Sequence, residues 1–152
     1  MVETTSELFT VGVFQDVVWA EKGLQALRAQ RFPVEALSLI AKDSPDVMAL
    51  SERVFGAGGS TLDIRGVGSA RVHGPIVEAL QRADRGLTAV GIAATAGRIG
   101  FQAHDGRIFE TLVARGGVLV AIHTEARASD ALEVLHSYGG GNAAIGAWIG
   151  RI

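Results

Sequence analysis

Shifted against itself by 108 positions, the sequence aligns Val11-Gly-Val-Phe14 with Leu119-Val-Ala-Ile122 without a gap. An internal repeat restricts a fold more than any single motif, because both copies must adopt the same supersecondary unit. The match continues into the next segment, where Ala20, Leu24 and Leu27 fall opposite Ala128, Leu132 and Leu135. The same shift pairs Asp16 with Thr124, two residue types whose side-chain oxygen accepts a free amide at a helix start.

Each copy reads strand, helix, strand. In the first, Phe9, Val11 and Val13 alternate with Thr10 and Gly12, and Val17, Ala20, Leu24 and Leu27 then recur at helical spacing. Pro33 ends that helix, because the residue before a proline avoids helical geometry, and 36–41 resumes as a strand. In the second, the unbroken apolar run Val118 to Ile122 fits a central strand, Ala131, Leu132, Leu135 and Tyr138 form the buried stripe of a helix, Gly139-Gly-Gly141 stops it, and 143–149 closes the unit. Two such units predict an α+β, ferredoxin-like domain: a four-stranded antiparallel sheet with both helices on one face. A single domain over 1–152 is expected, with its core at 9–41 and 118–149 and a helical insertion at 42–116.

Within the insertion, Ser44-Pro45-Asp46 opens a helix that runs to Gly56, Thr61 to Val72 reads as extended and irregular, and Pro75 starts a short helix. Gly86 to Gly97 is a small-residue segment of helical character, and Asp105 to Arg115 is the last inserted helix, stopped by Gly116-Gly117. The insertion is expected to cover one sheet edge or extend the helical layer.

Composition removes several classes of function. Net charge is −2, from 14 Lys plus Arg against 16 Asp plus Glu, which supplies no basic field for nucleic acid or an anionic membrane. With no cysteine, disulfides, thiolate nucleophiles and iron–sulfur clusters are excluded, and a cytoplasmic setting is the expectation. Met1 to Glu7 carries two glutamates and no Lys or Arg, unlike the cationic start of a secretory signal. The Gly86–Gly97 run is well short of the roughly 20 residues needed to span a bilayer, so no membrane insertion is expected.

Reactive groups are sparse. His73, His104, His123 and His136 show no metal-ligand spacing, so no metal and no cofactor are expected. No Gly-x-Ser-x-Gly elbow occurs, and no catalytic residues are assigned. Gly66, Gly68, Arg71, His73 and Gly74 form a loop-like stretch that could wrap amides round an anion, with Arg71 as a bidentate donor and the helix after Pro75 aimed inward. The plainer reading is a tight crossing between insertion and sheet. His123 stands at the end of a central strand, where loops gather ligands, and its plainer reading is a strand-end residue. Glu110 is an acid–base candidate if buried, against an ion pair with Arg107 or Arg115. Trp19 and Trp148 are core or subunit-interface residues.

Gly66-Val-Gly68, Gly74-Pro75 with Leu80, Phe109-Glu110 and Arg115-Gly-Gly-Val-Leu-Val120 together resemble, in order and spacing, the heat-induced general stress proteins of the YflT type. The resemblance runs from Phe9 to about Trp148. It implies a small bacterial cytoplasmic protein linked to stress and carries no reaction with it. The chain departs from that pattern at Gly100-Phe101-Gln102, where the family has Gly-Ile-Pro, and at Phe109, where it has Tyr. The family's long Gly/Ala-rich hairpin is reduced to Phe55–Ser60, removing the part most suited to a membrane surface.

These observations point to a non-enzymatic protein acting through self-assembly, a homodimer first, or through a protein partner. Apolar strands at 36–41 and 143–149, at the edges of a four-stranded sheet, or the helix surface near Trp19, Trp148 and the Gly86–Gly97 segment, are the surfaces expected to pair. The alternative is an anion- or small-ligand-binding module using Gly66–Gly74, and the third is a small enzyme using Glu110 or His123.

Overall fold

The structure, a computed structural model, describes residues 9–123, 127–140 and 148–151. It is α+β, and its centre is the pair of strands that the repeat nominates. β1 (Phe9–Phe14) and β5 (Val118–His123) lie antiparallel, with Val11 opposite Ala121 and Gly12 opposite Val120. β2 (Leu37–Lys42) flanks β5, and β6 (Trp148–Arg151) flanks β1, both antiparallel.

The sheet has six strands, not four. Residues read as irregular form a hairpin, β3 (Ser60–Ile64) and β4 (Gly68–His73), and β4 pairs with β2, giving the order β3-β4-β2-β5-β1-β6. The 36–41 segment is therefore an interior strand, and its expected role as an open edge does not hold. The period-2 signal was present: Leu62, Ile64, Ala70 and Val72 alternate with Thr61, Asp63, Ser69 and Arg71 around an Arg65-Gly66-Val67 turn. On the other side, β6 spans 148–151, and residues 143–147 of the expected closing strand lie outside the described residues.

Helices cover both faces of the sheet rather than one. On the first face, α1 (Val17–Ala29), α2 (Pro45–Phe55) and α6 (Ala128–Leu135) pack on Leu37, Leu39, Val118, Val120 and Ile122. On the second, α3 (Pro75–Gln81), α4 (Leu87–Arg98) and α5 (Ala103–Ala114) pack on Phe9, Val11, Val13, Ile40 and Ala121. The insertion thus extends the first helical layer with α2, widens the sheet with a hairpin, and builds the second layer. This is why the central strands carry apolar residues at successive positions: β1 is buried along its whole length.

Local chemistry starts two of the first-layer helices, α1 and α2, while α6 has no side-chain cap. The Asp16 side chain accepts from the Trp19 amide at 3.0 Å, and the Ser44 hydroxyl accepts from the Val47 amide at 3.1 Å. Thr124 lies outside the described residues. In α6 the stripe is Ala131 and Leu135, both fully buried, while Leu132 is half-buried. α4 is not continuous: Gly91, at φ 89° and ψ −176°, breaks it, and the helix restarts at Ile92. Among the described residues no helix is long and apolar enough to cross a membrane.

Candidate functional site

The Gly66–Gly74 stretch does not close round a ligand, because β4 is extended. Gly68 and His73 bound that strand, about 17 Å apart at the usual rise. Gly66 and Gly68 lie at the end of the sheet that carries Phe14 and Lys42, and His73 and Gly74 lie at the end that carries Phe9 and Leu37. Arg71 is engaged inside the protein: Nε donates to Asp43 Oδ1 at 2.8 Å and a terminal nitrogen donates to the Gly58 carbonyl at 2.8 Å. It pins the α2–β3 connection to β4. Gly74, at φ 104°, passes so close to β2 that a Cβ would lie 2.4 Å from the Leu37 carbonyl oxygen. The start of α3 behind it is closed by the buried Ser38 hydroxyl, which accepts from the Ile76 amide at 3.0 Å.

His73 and His123 stand at the same sheet end on opposite faces. The His73 ring lies against Phe55, centroids 4.2 Å apart, and burial holds its pKa below the ordinary value of 6.5. The His123 ring stacks on Phe9 at 4.9 Å, on the face opposite His73.

Glu110 has a partner that the sequence did not suggest. Its Oε1 accepts from the Ala93 amide at 3.0 Å, where α4 restarts, and among the described residues it forms no ion pair with Arg107 or Arg115. Two glycines make room for the carboxylate. A Cβ at Gly66 would lie 3.1 Å from Glu110 Oε2, and one at Gly91 would lie 2.8 Å from Oε1. The carboxylate is a helix cap supplied from a neighbouring helix, a favourable place for negative charge. Among the described residues no group of three or more His, Asp or Glu is placed to hold a metal ion.

No family model, no curated protein and no solved structure matches this chain. The functional reading therefore rests on the geometry.

Two surface features lie at the start of α1, apart from these internal contacts. The first is an apolar patch: Val18 is 61% exposed, more than any other large hydrophobic among the described residues. Trp19 beside it is half-buried, with the Lys22 ammonium 4.6 Å above its ring. Glu21, on the same helix, is bound by two Arg53 nitrogens at 2.8 and 2.7 Å, and the hydrogen bond holds its carboxyl below the usual range. Trp148, the other tryptophan, begins β6 opposite Val13 in register, and its side chain lies outside the described residues.

The second feature is a recess of about 340 Å³ where β1 runs into α1, lined by Val13, Phe14, Gln15, Asp16, Leu112, Arg115 and Gly117. None of these residues was singled out as a ligand site in the sequence, because the recess joins 13–16 to 112–117. Its only local signal is Gly116-Gly117 before a central strand.

Proposed function

We propose that the chain is a non-enzymatic bacterial cytoplasmic protein of the stress-associated class, with a ferredoxin-like core formed by β2, β5, β1 and β6, and that it acts by self-assembly. Exposure of Val18 beside Trp19 carries this reading, since the other nominated groups, Arg71, Glu110, His73 and Gly74, have internal work. A second copy suits the patch because opposite charges sit side by side on it: Asp16 and Glu21 with Lys22. A twofold axis passing between Glu21 and Lys22 would set each against its opposite on the second copy. The sheet contributes less, because β4 covers β2, one of the two expected edges.

Light scattering at tens of micromolar tests the reading. A dimer of twice 15.9 kDa is expected, and Val18→Glu should convert it to a monomer with an unchanged circular dichroism spectrum. A wild-type monomer, or a dimer untouched by both Val18→Glu and Trp19→Ala, overturns it.

A further inference from the structure

The recess at the end of β1 has a feature that helix capping leaves unused: an acid and a base on one lining that do not neutralise each other. Arg115 is exposed at the end of α5, where its backbone amide closes the helix, and its guanidinium makes no hydrogen bond or ion pair with any described residue. Asp16 gives one oxygen, Oδ1, to the Trp19 amide, and its Oδ2 has no described partner. The half-buried Gln15 between them in the lining has none either. The wall is built closely. A Cβ at Gly117 would lie 2.8 Å from the Leu112 carbonyl oxygen and 3.0 Å from Val13 Cγ1, so only glycine lets the α5–β5 turn lie against β1. That approach brings Arg115 to the Asp16 side of the sheet.

We propose that this recess binds a small zwitterion of the α-amino-acid class. A lone anion that satisfies Arg115 meets the Asp16 carboxylate, and a lone cation that satisfies Asp16 meets the guanidinium. A molecule with both charges on adjacent carbons matches both walls at once, its carboxylate on the Arg115 fork and its ammonium on Asp16 Oδ2 and the Gln15 amide oxygen. The half-buried Leu112 supplies apolar surface for an aliphatic side chain, and about 340 Å³ accommodates a molecule of that size.

The test is isothermal titration calorimetry on the full chain with glycine, alanine and leucine, against acetate and methylammonium at equal millimolar concentration. Saturable heats are expected for the amino acids and not for the singly charged ions. Arg115→Gln and Asp16→Asn should each weaken binding about tenfold or more, and Asn retains the helix cap, so loss of binding is not loss of fold. The proposal is overturned if no amino acid gives saturable heat, if acetate binds as well as alanine, or if either variant binds like the wild type. A monomer that still binds amino acids sinks the assembly reading and leaves this one standing.

Discussion

The two faces of the sheet are equally dry but are fastened differently. On the face under α1, α2 and α6, long side chains such as Leu24, Leu27 and Leu50 fill the space. The caps there are local: Asp16 reaches Trp19 and Ser44 reaches Val47, each three residues on. On the face under α3, α4 and α5, no N-cap side chain closes a helix start. Gly74 and Gly86 stand at the caps of α3 and α4, and the acceptors arrive from elsewhere. Ser38 serves Ile76 from 38 residues away, Glu110 serves Ala93 from 17 away, and Gln81 Oε1 serves Leu87 at 2.7 Å. On the first face, α1 and α2 are started by their own segments, while α6 has no side-chain cap. On the second, the starts at Ile76 and Ala93 form only when distant segments meet, and glycine is the residue that lets them come close enough.

This difference can be broken most forcefully at Gly91. Alanine there must hold a backbone conformation open in practice to glycine alone and push against Glu110 and the Arg65 carbonyl, 2.8 Å away. The expected loss is roughly 2–4 kcal/mol in urea denaturation. Gly97, on the same helix, has nothing within 4 Å of its Cβ position, and alanine there should be neutral or stabilising by up to about 1 kcal/mol. Equal effects at the two sites would mean that the break in α4 is not held by its surroundings.

The two kinds of cap can be compared directly with one chemical change. Ser44→Ala removes a local, part-buried cap and should cost about 1 kcal/mol. Ser38→Ala strands the Ile76 amide at a fully buried position and should cost about 1–3 kcal/mol. If Ser44→Ala proves the more damaging, the contrast between local and distant caps fails.

The smallest effect is at His73, wedged between β4 and Phe55. Burial lowers its folded pKa beneath the ordinary 6.5, so the unfolded chain holds more protons in that window. Its contribution is fully present above 6.5 and is lost as pH falls from there through the folded pKa. The urea midpoint should therefore drop with acidification, and His73→Phe should flatten part of that slope. A slope identical in the variant would place the pH dependence on other groups.

What was legible without tertiary structure is what the chain encodes within one or two turns. The 108-residue repeat gave the central pair β1–β5, and Asp16, Ser44 and Pro33 gave the ends of their helices, because cap and helix start lie within a few residues of each other. The alternation in 61–72 also belongs to this class. Other features had no local signature. That β4 covers β2, that helices occupy both faces, that Gly66 and Gly74 point to opposite ends of a strand, and that Arg71 and Glu110 are spent as braces depend on contacts between segments distant in sequence. The same holds for the recess between Asp16 and Arg115, since a stripe or a cap records what a segment needs, whereas a cavity records only where two segments come to rest.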